Sequence, residues 1–200
     1  MRRQREGESR VVAEVTRRAF GAEGDAVMLL PSALSTHPLA RHGLSLVATV
    51  GGEVVGHVQL SRCWVDDERH LVTGLTLSPL SVLPAHQGQG VGGALVTAAL
   101  QAADEAPEPF VMVEGAPGLY SRWGFEPAGD HALVPPSRRV PAPACQVRLL
   151  SSWDAATTGA LVHNDVFWAY DAVGLRGETL AQVRAALGDD QVHCPGTVVG

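Results

Sequence analysis

The glycines between residues 88 and 93 mark the part of the chain best suited to chemistry. Four glycines occupy these six positions, after an apolar run that ends at Leu83 and before a segment rich in alanine and leucine. Glycine lets the backbone take positive φ and approach a ligand closely. Successive N–H groups followed by the start of a helix favour an anion. The sequence therefore predicts a phosphate or pyrophosphate site in this turn.

Two interpretations of the turn imply different cofactors. The glycines at 88, 90 and 93 satisfy the dinucleotide pattern G-x-G-x-x-G, and Glu114 follows where a ribose-binding carboxylate would stand. The same residues give Q-x-x-G-x-G from Gln87 to Gly92, which resembles the pattern of acyl-CoA-binding acetyltransferases. Context favours the second interpretation. Pro84 ends the strand before the turn, and the chain after Glu114 is too short and proline-rich for further β-α units.

A second motif, Pro-Gly-Leu-Tyr-Ser-Arg-Trp-Gly-Phe, lies at residues 117–125. It resembles the Y-x-x-x-G-F segment of the GNAT superfamily (GCN5-related N-acetyltransferases), as does its spacing from the glycine turn. Residues 77–84, Leu-Ser-Pro-Leu-Ser-Val-Leu-Pro, resemble a strand of a bacterial subgroup similar to YhbS-type predicted acetyltransferases. The resemblance covers about residues 10–150. It implies an α/β GNAT fold, in which helices flank a mixed, twisted sheet with a splayed central strand.

The resemblance also implies roles for individual residues. Val82 and Leu83 would offer backbone groups to the pantetheine arm of acetyl-CoA, in a cleft opened by a bulge that Ser78-Pro79 could mark. The pyrophosphate would be bound by the turn, that is by Gln87, Gly88, Gln89, Gly90, Val91, Gly92 and Gly93. Tyr120 would be the general acid, because a phenol of pKa about 10 keeps its proton at neutral pH until a thiolate leaves.

These roles together predict an acetyl-CoA-dependent N-acetyltransferase without a metal. The acetyl group would pass by direct attack to a primary amine, on a small molecule or a protein N-terminus. Two other classes of function stay open. One is a non-catalytic acyl-CoA-binding regulatory module, and the other is a nicotinamide-nucleotide-binding enzyme that uses Glu114 for the ribose.

The general base is not visible in the sequence. His57 could face the cleft, but a histidine satisfied within its strand is the favoured interpretation. Glu114 stands at a strand end, where a solvated carboxylate at the rim is favoured. His86 could contact phosphate or only solvent. Cys63 could form an acyl-enzyme, but no His-Asp pair is spaced around it.

Composition narrows the function further. The chain has 200 residues and a net charge of −6, so it lacks the basic excess that a nucleic-acid binder needs. Its three cysteines, Cys63, Cys145 and Cys194, have no metal or redox spacing and suggest reduced thiols in a cytoplasmic protein. We expect no signal peptide, because no apolar h-region follows the charged first residues, and no membrane span, because no apolar stretch reaches 18 residues. The sequence does not determine whether the protein forms a homodimer.

The resemblance implies one GNAT-type domain over residues 1–150, and hydrophobic periodicity places its helices and strands. A hairpin turn is expected at Gly51-Gly52, with Val54 and Val58 on one face of the second strand and Val55 and His57 on the other. The strand that GNAT domains place before their first helix is expected to be vestigial or missing. The predicted helices are 9–20, 25–34 (interrupted by Pro31) and 91–103, and the predicted strands are 44–50, 53–60, 69–83, 110–113, a short one from Phe125, and 145–150, with an extended connector at 134–144.

Residues 151–200 form a C-terminal extension outside this resemblance. The extension contains Trp153, Phe167, Trp168 and Tyr170, too many aromatic residues for a disordered tail. We expect a strand at Thr158–His163, a helix at Glu178–Leu187 ended by Gly188, and packing against the domain. Its acidic and histidine residues (His163, Asp165, Asp171 and His193) lack the short paired spacing of a metal site.

Overall fold

The computed structural model describes residues 1–187, which form one mixed sheet flanked by helices. The strands are β1 (Arg2–Arg3), β2 (Arg41–Val50), β3 (Glu53–Asp66), β4 (Leu71–Val82), β5 (Phe110–Glu114), β6 (Glu126–Pro127), β7 (Leu133–Val134), β8 (Cys145–Leu149) and β9 (Gly159–His163). The helices are α1 (Ser9–Ala19), α2 (Gly24–Val27), α3 (Leu30–Thr36), α4 (Val91–Asp104), α5 (Asp165–Ala169) and α6 (Gly177–Leu187).

The strand order is β1-β2-β3-β4-β5-β8-β6, and all neighbours are antiparallel except β4 and β5. β9 pairs with the last residues of β3, beyond the point where β2 has its last partner, and β7 runs parallel to β9. The first strand, β1, has two residues, which pair with Val47 and Leu46 of β2. The predicted hairpin between β2 and β3 is confirmed, with φ of 58° at Gly51 and 91° at Gly52.

Three apolar clusters pack on the two faces of the sheet. The buried side of α4 packs against β2 to β5. The opposite face is covered in part by α1, through Val12 and Val15 against Val47 of β2. The rest of that face is covered by α3 and by the segment after β8, which share a core containing Phe110, Met112, Leu161 and Phe167.

A bulge in β3 corrects the predicted alternation of that strand. Ala48 pairs with Gly56 but the next residue, Thr49, pairs with Val54, so Val55 is an extra residue on β3. The pleat shifts there. Val54 packs with α1 while Val55 packs on the α4 side, so these two side chains lie on the faces opposite to those predicted.

A second bulge lies in β4, where the sequence predicted an irregularity at Ser78-Pro79. Val58 of β3 pairs with Leu80, and Leu60 pairs with Leu77. Between these two pairs β4 has two residues, whereas β3 has one. A proline has no N–H to donate to the ladder, so it is tolerated at a bulge, where one residue of the strand is left unpaired. This irregularity is confirmed.

Smaller differences concern helix ends and short elements. Pro31 lies in the first turn of α3 instead of interrupting a single helix, because proline is tolerated in a first helical turn. The connector 134–144 contains a short 3₁₀ turn at Ala142–Ala144. The strand at 159–163 and the helix ending at Leu187 are present as predicted. The sequence analysis did not predict α5. Gly188, His193 and Cys194 lie outside the described residues.

Candidate active site

A cleft opens between β4 and β5. Within the described residues, these parallel strands pair only at Leu75 with Val111 and at Thr76 with Met112. β4 then continues through its bulge to Val82, while β5 ends at Glu114 and pairs with β8 on its other side. Each strand therefore keeps one partner and leaves its facing edge open, which provides unpaired backbone groups in the middle of a sheet.

The backbone of Val82 faces this cleft. The N–H of Leu83 donates to the Val55 carbonyl oxygen at 2.9 Å, while Val82 stands opposite Gly56. Antiparallel ladders alternate, so the N–H and C=O of Val82 point away from β3, toward the side that β5 leaves open. Both backbone groups of Leu83 already have partners within the fold. Its N–H donates to Val55, and its carbonyl oxygen accepts from the His86 N–H, so only its side chain is left to contact a ligand.

The glycine turn connects this cleft to the start of α4. Gly88 has φ of 72° and Gly90 has φ of 83°, a region that side chains of L-residues rarely adopt. A Cβ at either position would meet nothing, so the backbone angle, not space, requires glycine. The first helical bond runs from the Ala94 N–H to the Gly90 oxygen, which leaves the N–H groups of Val91, Gly92 and Gly93 without helical acceptors. No acidic residue lies in this first turn of α4, so the site suits an anion.

The two glutamines of the turn hold the loop in shape. The side-chain amide of Gln87 donates to the Val82 oxygen at 3.0 Å, and that of Gln89 donates to the Ala85 oxygen at 2.9 Å. Their N–H donors therefore bind the protein's own backbone. The Gln87 N–H donates to the Pro84 oxygen at 3.3 Å, and the N–H groups of Val91, Gly92 and Gly93 are left for a ligand.

Tyr120 is buried beside the end of β5. Its ring belongs to the α4-side core with Val82 and lies edge-on to Phe125 at 5.7 Å. Gly115 is the reason that the ring fits, since a Cβ there would stand 2.6 Å from Tyr120 Cε2. Burial raises the pKa of the phenol to about 12, so it keeps its proton at neutral pH but is a weaker acid than an exposed phenol. Among the described residues, its hydroxyl has no hydrogen-bond partner.

Arg122 and Trp123 lie against the start of α4, a contact that the sequence did not reveal. Both side chains come within 3.5 Å of the point where a Cβ would stand at Gly93. Trp123 Nε1 donates to Thr97 Oγ1 at 3.0 Å, one turn further along the helix. The Y-x-x-x-G-F segment therefore contacts both the cleft and the outside of the helix start.

His57 lies on the opposite side of the sheet, under α1. It is fully buried, its Nε2 is 2.8 Å from Ser45 Oγ, and Ser45 Oγ donates in turn to Gln4. Burial lowers the pKa of the imidazole to about 3. The interpretation of His57 as a histidine held within its strand agrees with these contacts, although its Nδ1 is buried without a partner in the described part of the chain.

A cavity of about 400 Å³ lies next to the hydrogen bonds that join His57, Ser45 and Gln4. Its deepest side chain is Gln59, which is 3% exposed, donates to Ser35 Oγ and keeps its amide oxygen unpartnered among the described residues. None of its lining residues belongs to the glycine turn; they are Gln4, Arg5, Glu6, Ser9, Ser35, Gly43, Leu44, Ser45 and Gln59. No local pattern in the sequence signals this cavity, because its walls come from α1, α3, β2, β3 and the loop before α1.

Glu114 is not the solvated rim carboxylate expected from the sequence. Its Oε1 is 2.7 Å from Nε2 of His163 on β9, and its Oε2 accepts from the Gly174 N–H at 2.8 Å. The carboxylate therefore ties β5 to the C-terminal segment. Both of its oxygens are already engaged, which argues against a ribose-binding role.

Within the described part of the chain, the two cysteines and the remaining titratable residues offer no second reactive centre. Cys63 is fully buried, and burial raises the pKa of its thiol to about 12, so it is a poor nucleophile. Burial also raises the pKa of the Cys145 thiol. Among residues 1–187, no group of three or more His, Cys, Asp or Glu residues could hold a metal ion, and no helix is long and apolar enough to cross a bilayer.

Comparison with known sequences gives consistent matches. Residues 41–127 match the model of the acetyltransferase (GNAT) domain. The chain is 36% identical over 126 residues to YjhQ of Escherichia coli K12, named an uncharacterized N-acetyltransferase, with 62% of this chain and 68% of that protein covered. It is 35% identical over 121 residues to YhbS of the same strain, also named an uncharacterized N-acetyltransferase, with 58% and 67% covered.

Comparison with solved structures also finds GNAT-family acetyltransferases. YhbS from Escherichia coli, crystallised with CoA, has a TM-score of 0.72 and 31% identity, covering 83% of this chain and 89% of that chain. A GNAT-family acetyltransferase from Brucella melitensis, crystallised with acetyl-CoA, has a TM-score of 0.62 and 26% identity, covering 83% and 96%. The fold predicted from the sequence is confirmed, and the chain belongs to the GNAT family of acetyltransferases.

Proposed function

We propose that this protein is an acetyl-CoA-dependent N-acetyltransferase that acetylates a primary amine by direct attack. The observation that carries the proposal is the opening between β4 and β5, with the Val82 N–H facing it and the glycine turn at its end. The opening fits an extended arm, and the free N–H groups at the start of α4 fit a pyrophosphate. The relatives crystallised with CoA and acetyl-CoA support the same assignment.

The residues divide the chemistry as follows. Acetyl-CoA supplies an activated thioester when bound. The Val82 N–H donates to the carbonyl oxygen as that oxygen gains charge, and its fixed position lowers the cost of reorganisation. The turn from Gln87 to Gly93 anchors the phosphates, which holds the reacting carbon beside the amine. As the amine nitrogen bonds to the carbonyl carbon, the C–S bond breaks and Tyr120 gives its proton to the departing thiolate. The nitrogen loses one proton to water, and the Tyr120 phenolate takes a proton back from solvent.

The role of Tyr120 can be tested with Tyr120→Phe, which keeps the ring and its packing. If the phenol is the general acid, kcat should fall about 100-fold while the affinity for CoA stays unchanged. The hydroxyl makes no hydrogen bond to a described residue, so its removal should leave the melting temperature close to that of the wild type. Wild-type turnover in the variant would assign Tyr120 to packing alone.

The burial and raised pKa of Tyr120 favour one alternative, a non-catalytic module that binds acyl-CoA. The first experiment is therefore thermal unfolding with acetyl-CoA, CoA, NAD and NADP, since a ligand at about 100 times its Kd adds about 2.7 kcal/mol to the folded state. Thiol release across a panel of primary amines then separates an enzyme from a binding module. Stabilisation by a nicotinamide nucleotide in place of CoA would contradict the proposal.

The acceptor and the domain limits belong to the same proposal. A net charge of −6 favours a cationic acceptor, such as a polyamine or an N-terminal amine. We further propose that residues 151–187 complete the domain. Two contacts support this: β9 pairs with β3, and His163 reaches Glu114.

A further inference from the structure

Arg122 occupies a position beside the anion site of the glycine turn. It is exposed and lies in the 3₁₀ turn Ser121–Trp123, directly after Tyr120. Its Nη2 is 3.5 Å from the point where a Cβ would stand at Gly93, the third residue of α4. The guanidinium is therefore next to the first-turn N–H groups that have no helical acceptor.

Trp123 holds this guanidinium in place. The Arg122 Cζ lies 4.0 Å from the centroid of the Trp123 ring, within the range of a cation–π contact. The indole is itself fixed, because its Nε1 donates to Thr97 Oγ1 on α4. A cation–π contact orients a guanidinium and leaves its N–H donors available, whereas an ion pair with a carboxylate would occupy them.

The charge of Arg122 is not neutralised within the described part of the chain. No carboxylate there forms an ion pair with it, although other arginines of the protein have acidic partners, among them Arg2, Arg17, Arg69, Arg139, Arg148 and Arg176. The first turn of α4 also lacks an acidic residue. In a protein of net charge −6, an oriented and unpaired cation at this place is a feature that a ligand explains.

We propose that Arg122 binds a phosphate group of CoA and that Trp123 positions it. This inference rests on the proposed function and adds to the turn a residue that pattern matching does not identify. Arginine donates two parallel N–H bonds to a phosphate, which suits either the pyrophosphate or the 3′-phosphate. One short segment then serves both ends of the cofactor, with Tyr120 at the thioester and Arg122 at a phosphate.

Calorimetric titration of the 200-residue chain with CoA and with 3′-dephospho-CoA tests the proposal. Arg122→Gln should bind CoA about tenfold more weakly than the wild type, as expected for a hydrogen bond to a charged group. Arg138→Gln, which removes the same charge from an exposed position in the connector, is the matched control and should bind as the wild type does.

The two ligands distinguish the phosphates. A loss with CoA alone assigns Arg122 to the 3′-phosphate, and an equal loss with both ligands assigns it to the pyrophosphate. Trp123→Leu should weaken binding too, and the effects of the double variant should be less than additive, because both changes remove one contact. Wild-type affinity of Arg122→Gln for both ligands would overturn the inference and leave the proposed function standing. A wild type that does not bind CoA would overturn both.

Discussion

His57→Gln should make the fold less sensitive to acid. His57 is fully buried, and among the described residues its ring makes one hydrogen bond, from Nε2 to Ser45 Oγ at 2.8 Å, since the Ser45 hydroxyl donates its own proton to Gln4. A protonated imidazole has two N–H donors, and the second would point from Nδ1 into a region without an acceptor among the described residues. The folded state therefore disfavours the charged form, and the pKa falls from 6.5 to about 3.

The size of the effect follows from these two pKa values. As pH falls, the unfolded chain takes up the proton near 6.5, whereas the folded protein does so only near 3. The stability contributed by neutral His57 is therefore complete above pH 6.5 and is lost as pH falls below it. One pKa unit corresponds to about 1.4 kcal/mol, so the free energy of unfolding should drop by about 2 kcal/mol between neutral pH and pH 5.

Urea unfolding near pH 7.5 and near pH 5.0 measures this loss directly. Glutamine at position 57 can keep the bond to Ser45 without titrating, so the variant should lose about 2 kcal/mol less than the wild type over this interval. His70→Gln, at an exposed position, is the control and should follow the wild type. Equal losses in the wild type and in His57→Gln would refute the reasoning that this imidazole is kept neutral by burial.

Two further substitutions test the packing around the cleft. Gly115→Ala places a carbon 2.6 Å from Tyr120 Cε2, so the ring must move; we expect a lower kcat with unchanged CoA affinity, and a destabilisation of about 1–3 kcal/mol typical of overpacking, measured by steady-state kinetics and by urea unfolding. Glu114→Ala removes the partner of His163 and of the Gly174 N–H, and should lower the free energy of unfolding in urea by about 2 kcal/mol. Glu114→Gln should lose less, because the amide can still accept one bond. Unchanged unfolding in Glu114→Ala would show that the C-terminal segment does not depend on this carboxylate.

Local patterns predicted the features that depend on neighbouring residues. The glycine turn, the hairpin at Gly51-Gly52 and the irregularity at Ser78-Pro79 each require a backbone geometry that only glycine or proline signals in the sequence. The roles of Val82 and Tyr120 came from the family resemblance, and they remain proposals that the geometry supports.

Features that join distant parts of the chain were not predictable. Val54 and Val55 exchanged faces because a bulge in β3 depends on its register with β2, which periodicity does not reveal. The carboxylate of Glu114 meets His163 across 49 positions of sequence, and Arg122 meets α4 only after the sheet has formed. Such contacts leave no spacing to detect.

The amides of Gln87 and Gln89 have a consequence for the energetics of binding. Because they bond to backbone oxygens of residues 82 and 85, the loop takes its anion-binding shape as part of folding. The loop therefore loses its conformational entropy when the protein folds, and little further entropy is lost when a ligand binds. A rigid loop of this kind should discriminate by the shape of the anion more than by its total charge, so that a pyrophosphate would be preferred to a single phosphate of similar charge.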